Sequence, residues 1–296
     1  MRLSFSTNAF VRCSVFEAVE HIGALGYAGV ELLADAPHLY ADTVAASDLS
    51  RLKAILTAMG LEVANVNANT AVGYYGRAFW EPLFEPSLAN PDPIARRWRI
   101  DYSKKCLDMA QFLGAPSVSV TSGKPVPGIL PEDSLDLLRE SVEELVEYAA
   151  ERSVKIGIEY EPGLLIENCG ELVAFLNDVD SVHLGANLDL GHSHVAGESA
   201  AQVIDSLGPR IFHVHIEDIK ESKHYHLIPG KGDLDFCALF AILDSCGYEG
   251  FVTVELYTYP DRPDQAAREA LQFLSGLSET TVGKRAPLGG DAWRQQ

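Results

Sequence analysis

One phrase recurs along this chain of 296 residues: a helical pattern ends at a glycine, and a short β-rich run follows at once. The glycines are Gly26, Gly60, Gly114, Gly208 and Gly247. Glycine is the usual residue just past the end of a helix because it adopts a positive φ freely. Each repeat of the phrase therefore predicts a junction at which a helix ends and a strand begins.

Three further β-rich runs lie at residues 3–6, 155–158 and 184–188, and amphipathic helical segments separate the runs. Strands that alternate with helices predict βα units and a parallel sheet. The eight runs together predict an α/β fold made of a single (β/α)8 TIM barrel, an architecture that typically needs about 250 residues. A doubly wound open sheet is the alternative, although no GxGxxG motif opens the first βα turn.

The barrel is expected to occupy residues 1–277, followed by a polar, glycine-rich tail of residues 278–296 that is weakly ordered. One connection within the barrel is unusually long and contains the aromatic residues Tyr74, Tyr75, Phe79, Trp80 and Phe84. Loops of this length are usually functional or disordered, and the aromatic content argues against disorder. We predict that this connection, between the third strand and the third large helix of the barrel, is a lid loop over the site, with packing against the barrel or a subunit partner as the alternative.

The bulk composition limits the partners. A net charge of −19 and a pI near 4.8 disfavour nucleic acid, whose binding depends on Lys and Arg. The five cysteines are scattered without CxxC spacing, which argues against a disulfide framework and a thiolate zinc site. The sequence shows no signal-peptide pattern and no run near the ~20 apolar residues that span a bilayer. We therefore expect a cytoplasmic protein without nucleic-acid or membrane partners.

Polar side chains occur where four consecutive predicted strands end, at Glu159, Asp189, His215 and Glu255. The active site of an α/β barrel lies at the carboxyl ends of its strands, so these side chains are expected on one rim. Three carboxylates and one imidazole suit a divalent ion such as Mn²⁺, Mg²⁺, Co²⁺ or Zn²⁺. Taken singly, each residue could instead be a helix N-cap, a surface ion pair or a core histidine. Their joint placement predicts one metal site.

Several short motifs resemble those of a known family, and together they extend over nearly the whole chain to about Gly276. They lie at residues 25–32, 158–159, 188–192, 213–218, 229–233 and 254–256, which read LGYAGVEL, IE, LDLGH, HVHIED, PGKGD and VEL. In their order and placement the sequence resembles the xylose isomerase-like barrels. That family includes ketose 3-epimerases, inosose-processing enzymes, hydroxypyruvate isomerases and apurinic-site endonucleases.

The resemblance implies that Glu159, Asp189, His215 and Glu255 bind one divalent metal ion, with Mn²⁺ as the first expectation. It also implies that Glu159 and Glu255 are the acid and base on opposite faces of the substrate. Such a metal would polarise a carbonyl and hold an enediolate while one carboxylate removes a proton and the other returns it. The expected activity is that of a metal-dependent isomerase or epimerase of a small sugar or polyol-derived ketone.

Residues that bind the substrate are expected around the metal. In the family, the residue corresponding to His192 usually touches a substrate oxygen. Ketohexose epimerases carry an Arg where this chain has His226, which predicts recognition of a different hydroxyl pattern or a second metal shared with Asp189 and His192. Glu161 lies on the same strand face as Glu159 and is the alternative ligand. The remaining candidates for substrate binding are Glu167, Asn67 and Trp98.

Three other functions stay open at this point. A dehydratase or lyase on the same scaffold begins with the same proton abstraction, and a non-catalytic sugar-binding protein is the second alternative because fold does not fix function. An apurinic-site endonuclease needs three zinc ions with His ligands from strands three and four, whose ends at residues 65–69 and 120–123 carry no His. The resemblance also implies a homo-oligomer, since barrels of this family often pair through the C-terminal face.

Overall fold

The computed structural model describes residues 2–77 and 84–282, with side chains described as far as residue 277. Its strands are β1 (Arg2–Ser6), β2 (Gly29–Leu33), β3 (Glu62–Asn67), β4 (Ser117–Thr121), β5 (Lys155–Glu159), β6 (Leu184–Asp189), β7 (Ile211–Ile216), β8 (Asp218–Lys220), β9 (Lys223–Leu227) and β10 (Phe251–Val254). Its helices are α1 (Val15–Leu25), α2 (Ala46–Met59), α3 (Val72–Tyr75), α4 (Pro93–Leu113), α5 (Pro131–Arg152), α6 (Cys169–Val179), α7 (Leu190–Val195), α8 (Ala200–Leu207), α9 (Phe236–Ser245) and α10 (Pro263–Val282).

The strands form a closed parallel barrel in the order β1-β10-β7-β6-β5-β4-β3-β2. The prediction of a single (β/α)8 barrel is therefore confirmed, and the open sheet is excluded. Strands β8 and β9 lie outside the barrel and pair with each other as an antiparallel hairpin between β7 and α9. The sequence analysis did not predict this hairpin, which carries part of the candidate site.

The glycines of the recurring phrase end helices as predicted. Gly60 and Gly114 follow α2 and α4 with φ of 66° and 81°, and their N–H groups donate to the carbonyls of Leu56 and Ala110. A residue with a Cβ is strained at such φ values, so glycine closes the helix at little steric cost. The chain then turns at once into the next strand.

The barrel interior is polar near the site. Asn65 of β3 donates from Nδ2 to Oγ of Ser119 at 2.9 Å and accepts from Oγ of Ser117 at 2.8 Å. The outward side chains of the strands, such as Val66 and Val118, are buried and apolar. β-branched residues suit strands that are covered on both faces. The polar residues inside the barrel are hydrogen-bonded to one another and lie next to the charged rim.

The long connection after β3 is anchored close to its start. The Asp35 carboxylate accepts the backbone N–H of Gly73 at 2.7 Å, and the buried Arg99 side chain donates to the Ala68 carbonyl at 3.2 Å. Phe79 and Trp80, which we assigned to the lid, lie outside the described residues. The lid therefore stays a prediction. The contacts of Asp35 and Arg99 hold the chain at the start of this connection.

The last helix, α10, continues to Val282, so the predicted boundary at residue 277 falls within a helix. Residues 283–296 lie outside the described residues, and the weakly ordered tail stays a prediction. Across the described parts of the chain, every helix is too short or too polar to cross a membrane.

Candidate functional site

Four side chains from four strands meet at the carboxyl-terminal rim of the barrel. Glu159 is the last residue of β5, Asp189 is the last residue of β6, His215 lies near the end of β7, and Glu255 follows β10. One possible ligand atom of each lies within 4.8 Å of the others, and all four residues are buried. We call them the four-residue cluster. They converge because all strand ends of a parallel barrel share one rim.

The ring of His215 lies between two carboxylates. Its Nδ1 is 3.0 Å from Oε1 of Glu159, and its Nε2 is 2.6 Å from Oε2 of Glu31 on β2. Glu31 also accepts a hydrogen bond from Nδ2 of Asn65 at 2.9 Å, which holds its carboxylate in place. A carboxylate on one ring nitrogen orients an imidazole whose other nitrogen binds a metal. The geometry therefore directs Nδ1 of His215 into the four-residue cluster.

Asparagine amides hold one oxygen of each glutamate in the four-residue cluster. Asn8 and Asn67 donate from Nδ2 to Oε1 of Glu255 at 2.9 Å and 3.2 Å. Asn69 donates from Nδ2 to Oε2 of Glu159. Each glutamate thus presents its other oxygen to the centre of the cluster. Hydrogen bonds of this kind restrict the rotation of a carboxylate and fix the position of the free oxygen.

The crowded carboxylates shift the proton affinity of their neighbours. Burial raises the pKa of Glu255 well above its usual value, and Glu159 and Asp189 raise it further. Burial alone would lower the pKa of His215, but Glu31 and Glu255 outweigh it and hold the pKa well above the usual range. Buried carboxylates in contact favour a positive charge among them. A divalent cation would supply that charge.

The donor atoms of the four-residue cluster fit a divalent cation. Oδ1 of Asp189 accepts the backbone N–H of His192 at 2.9 Å, whereas its buried Oδ2 has no hydrogen-bond donor among the described residues. Such an oxygen is costly to bury unless an ion or a ligand satisfies it. Three carboxylates and one imidazole are ligands that hard to borderline divalent ions accept. These four residues could therefore hold a metal ion.

A further buried carboxylate, Glu217, lies beside the four-residue cluster. Within the described parts of the chain, neither of its oxygens has a hydrogen-bond donor. Burial raises its pKa well above the usual value, and Asp189 and Glu255 raise it further. The side chain fits only because Gly191 has no Cβ, since a Cβ built there would lie 1.6 Å from Oε1 of Glu217. The glycine of the LDLGH motif thus makes room for an acid.

Three histidines form a second group, which we call the three-histidine cluster. His192 lies on α7, and His224 and His226 lie on β9; one ring nitrogen of each lies within 4.8 Å of the others. Burial lowers the pKa of His224 to about 4 and that of His226 to about 3. Both rings are therefore neutral at pH 7. Burial opposes a charge on His192 as well, but Asp189 and Glu161 outweigh it and raise its pKa.

Residues from both clusters line one cavity of about 1150 Å³. One side is polar, with Glu159, Glu255 and the three-histidine cluster. The remaining wall is largely apolar and aromatic, with Leu33, Tyr40, Val72, Phe84 and Tyr257. A concave site with few convergent polar groups and an apolar wall is typical of a site for a small molecule.

Most of the predicted substrate-binding residues line this cavity, namely His192, His226, Glu161 and Asn67. Glu161 lies beyond the end of β5, with Oε1 3.8 Å from Nδ1 of His224, so Glu159 rather than Glu161 belongs to the four-residue cluster. The structure does not place Trp98 or Glu167 in the lining. Trp98 donates from Nε1 to Oδ2 of Asp42 at 2.9 Å, and Glu167 is exposed and accepts the Gly163 N–H at 2.7 Å.

Sequence reasoning missed several polar residues of the site: Asn8, Glu31, Asn69, Glu217 and His224. Glu31 and Glu217 stand in the motifs at residues 25–32 and 213–218, while Asn8 and Asn69 follow β1 and β3. The strand-end rule, applied to all eight barrel strands, would have selected most of them. His224 could have been selected only with knowledge of the β8–β9 hairpin, in which it shares a strand face with His226.

The barrel fold and the polar residues at its rim agree with the family that the sequence matches. Residues 19–277 match the model of the xylose isomerase-like TIM barrel family. This chain belongs to that family.

Two curated relatives extend over most of the chain. Fructoselysine 3-epimerase of Escherichia coli O157:H7 is 27% identical over 282 residues, which is 94% of this chain and 98% of the relative. Inosose dehydratase of Erwinia tasmaniensis is 26% identical over 281 residues, which is 87% of this chain and 88% of the relative.

Solved structures share the fold. A D-tagatose 3-epimerase-like protein has a TM-score of 0.78 at 22% identity, covering 95% of this chain and 100% of that chain. The IOLI protein, solved with a bound zinc atom, has a TM-score of 0.74 at 21% identity, covering 97% of this chain and 100% of that chain.

Proposed function

We propose that this chain is a divalent-metal-dependent epimerase or isomerase that transfers a proton at a carbon beside the carbonyl of a small sugar or polyol-derived ketone. The four-residue cluster would hold the metal, with Mn²⁺ as the first candidate and Mg²⁺, Co²⁺ and Zn²⁺ as alternatives. Glu159 and Glu255 would also act as acid and base. Family membership and the relative named fructoselysine 3-epimerase support this proposal.

The observation that carries the proposal is the arrangement of Glu159 and Glu255. Both carboxylates are buried, and they come from β5 and β10, which are separated in the barrel by β6 and β7. Each has one oxygen held by an asparagine amide and the other turned towards a common centre. Two carboxylates that reach one substrate from different strands can remove a proton on one side and return one on the other.

A bound divalent cation would polarise the substrate carbonyl and stabilise the charge of the enediolate. The protein residues account for the movement of the proton. One glutamate takes the proton from the carbon, and the other gives a proton to the opposite face, which inverts that carbon. Asn8 and Asn69 keep the two carboxylates in position for this transfer.

Deuterium incorporation from D₂O tests the proposal. We expect the protein with Mn²⁺ to place solvent deuterium at a carbon beside the carbonyl of at least one member of a panel of ketoses and inososes. The Glu159→Gln variant, loaded with metal, is expected to lose this exchange for one epimer of the substrate and to keep it for the other. Glu167→Gln is the matched control, because Glu167 is exposed and lies outside the cavity lining.

Metal analysis separates a failed substrate panel from a failed mechanism. The purified protein is expected to bind metal stoichiometrically, and Asp189→Asn is expected to lose most of it. A protein that binds no divalent metal in solution would contradict the proposal. Metal bound in the four-residue cluster without any exchange on the panel would instead mean that the panel lacks the substrate or that the protein binds a sugar without catalysis.

A dehydratase is the second candidate, and the relative named inosose dehydratase favours it. It begins with the same proton abstraction but then expels a hydroxyl group from the neighbouring carbon. Mass spectrometry distinguishes the two, since dehydration gives a product lighter by one water and epimerisation leaves the mass unchanged. An apurinic-site endonuclease is tested separately by incubation with abasic-site DNA, which we expect to stay intact.

A further inference from the structure

We propose that the substrate is a sugar ketone that carries an aromatic substituent, and that the half of the cavity formed by residues at and after the ends of β1, β2 and β3 binds this substituent. We call this part of the cavity the distal half, and its apolar lining consists of Val11, Leu33, Pro37, Tyr40, Val72 and Phe84. The inference rests on the proposed function, because it names the class of substrate on which the four-residue cluster would act.

The distal half lies across the barrel from the four-residue cluster. The strands that carry the cluster, β5, β6, β7 and β10, are consecutive in the barrel, and β2 lies opposite β6. Leu33 is the last residue of β2, and Asp189 is the last residue of β6. At the same rim, β2 thus ends in an apolar side chain where β6 ends in a carboxylate. A substrate bound at the cluster would have its remote end facing an apolar wall.

The cavity is larger than a free sugar needs. Its volume is about 1150 Å³, whereas sites for drug-sized ligands typically have roughly 300–1,000 Å³. A hexose or an inosose is smaller than such ligands, so a free sugar at the four-residue cluster would leave the distal half filled with water. Water in the cavity weakens the electrostatic interactions that stabilise an enediolate. A substituent on the sugar would displace this water from an apolar wall, which is favourable.

Two hydroxyl groups that line the distal half already donate within the protein. Thr70 donates from Oγ1 to Oδ2 of Asp35 at 2.5 Å, and Tyr40 donates its hydroxyl to Oδ2 of Asp42 at 3.1 Å. Asp35 also accepts the backbone N–H of Gly73 at 2.7 Å, so its carboxylate is engaged as well. A ligand hydroxyl in this half would have to compete with these bonds.

His38 adds a single acceptor to the distal half. Its Nε2 is 3.2 Å from the carbonyl oxygen of Phe10 and 3.3 Å from that of Cys13, and carbonyls only accept, so Nε2 carries the hydrogen. Its Nδ1 is buried and has no donor among the described residues. Thr43 and Arg77 also line this half, but both are exposed to water. A second sugar would bury several hydroxyls here with too few partners, which favours an apolar substituent.

The aromatic part of the wall is fixed in place. The ring of Tyr40 has its centroid 5.5 Å from that of Tyr102. It also packs on Gly73, where an added Cβ would overlap the Tyr40 ring. A ring that is held from behind can contact an aromatic substituent without losing further side-chain freedom. The distal half is therefore suited to a flat aromatic group.

Substituted ketones test this inference through deuterium exchange in D₂O. The probes are 3-ketoglucose, its phenyl β-glycoside and its glucosyl β-glycoside, each incubated with the Mn²⁺-loaded full-length chain. We expect kcat/KM to be at least about 10-fold higher for the phenyl glycoside than for the free sugar, because the phenyl ring is buried against apolar side chains. The glucosyl glycoside should show no such gain. A free sugar or a glucosyl glycoside that matches the phenyl glycoside overturns the inference.

Variants of the apolar wall test where the phenyl ring binds. Leu33→Gln should bring the ratio of kcat/KM between the phenyl glycoside and the free sugar close to one, because the new amide loses its water when the ring binds. Val72→Thr, which is nearly isosteric, should lower the ratio less and serves if Leu33→Gln does not fold by circular dichroism. Leu130→Gln is the matched control, since Leu130 is 59% exposed and lies outside the cavity lining. A wild-type ratio in folded Leu33→Gln overturns the inference.

Binding without turnover separates this inference from the proposed function. Isothermal titration calorimetry compares phenyl β-glucoside, which has no ketone, with glucose, and we expect the phenyl glucoside to bind at least about 10-fold more tightly. If no ketone exchanges but this preference is present and disappears in Leu33→Gln, the proposed function fails and the aromatic site stands. Exchange without any preference for the phenyl group, in kcat/KM or in Kd, retains the proposed function and overturns the inference.

Discussion

Oε2 of Glu31 lies 2.6 Å from Nε2 of His215, and this contact determines which ring nitrogen faces the four-residue cluster. Glu31 is fully buried, which by itself would raise its pKa, but His215 and His213 outweigh burial and hold the pKa well below the usual value. Glu31 is therefore ionised at neutral pH. An ionised carboxylate on Nε2 leaves Nδ1 free to bind a metal and makes it a stronger ligand.

Replacing Glu31 with Gln tests this role. The amide is similar in shape but removes the negative charge from Nε2 of His215, so we expect Mn²⁺ affinity to fall about 10- to 100-fold. Isothermal titration calorimetry measures the change in Kd. Glu62→Gln on the neighbouring strand is the control, since the Glu62 side chain is 65% exposed. A folded Glu31→Gln protein with the Kd of the wild type would show that Glu31 does not orient the ligand.

Gly191→Ala should destabilise the protein because a Cβ at this position would lie 1.6 Å from Oε1 of Glu217. Overpacking of this kind typically costs about 1–3 kcal/mol in the free energy of unfolding, which urea denaturation measures. The double variant Gly191→Ala/Glu217→Ala should recover part of the loss, since the clashing carboxylate is gone. Gly276→Ala is the control, because among the described residues its added Cβ would have no atom within 4 Å outside its own helix and chain neighbours. Equal stability of Gly191→Ala and wild type would contradict the close approach.

The contact between α4 and α5 predicts a pH dependence of stability. Glu144 accepts hydrogen bonds from Arg97 at 2.7 Å and Lys104 at 2.6 Å, and these bonds lower its pKa to about 2. Because the folded pKa is below the ordinary value of 4.5, the pairing stabilises the protein above that pH and loses its effect as the pH falls towards 2. The Glu144 side chain is 35% exposed, so we expect less than about 1 kcal/mol.

The measurement compares the unfolding free energies of wild type and Glu144→Gln. The difference should be largest at neutral pH, shrink below about pH 4.5 and also shrink in high salt, which screens exposed pairs. Taking the difference cancels the titration of other carboxylates. A difference that stays constant from pH 7 to about pH 3 would mean that Glu144 is not held in its ionised form by α4.

The sequence was sufficient for the fold because the signals are local. Gly60 and Gly114 mark helix ends by their own conformational freedom, and each strand that follows is a short run that contains two valines. The rule that strand ends share a rim then brings Glu159 and Asp189 together without any knowledge of side-chain packing. That rule says where a residue lies, and it says little about what the side chain touches.

The features of the site that could not be predicted from the sequence depend on the orientation of side chains and on segments outside the regular βα pattern. Trp98 lies on α4, and its indole N–H donates a hydrogen bond to Asp42 outside the cavity lining. This orientation is determined by tertiary packing. His224 reaches the site through the β8–β9 hairpin, whose strands have three and five residues and give a weak sequence signal. Glu31 sits in the middle of β2 and is therefore less conspicuous than a residue at the end of a strand.

The paired glutamates make the most specific prediction about chemistry. If Glu159 and Glu255 each serve one face of the substrate, removing one base should abolish epimerisation while leaving proton exchange on the face of the other. We expect Glu159→Gln and Glu255→Gln each to lower the rate of epimerisation by about 10²- to 10⁴-fold. In D₂O, each variant should still exchange the proton of one epimer, and the exchanged epimer should differ between the two variants.

Proton NMR of both epimers, incubated separately with each variant and with excess Mn²⁺, measures this selectivity. Excess metal matters because both side chains are also proposed ligands, and the metal content of each variant must be determined alongside. Loss of exchange from both epimers in a fully metal-loaded variant would mean that the two glutamates act together on one face. Retained epimerisation in either variant would remove that glutamate from the proposed acid–base pair, whatever the metal content of the variant.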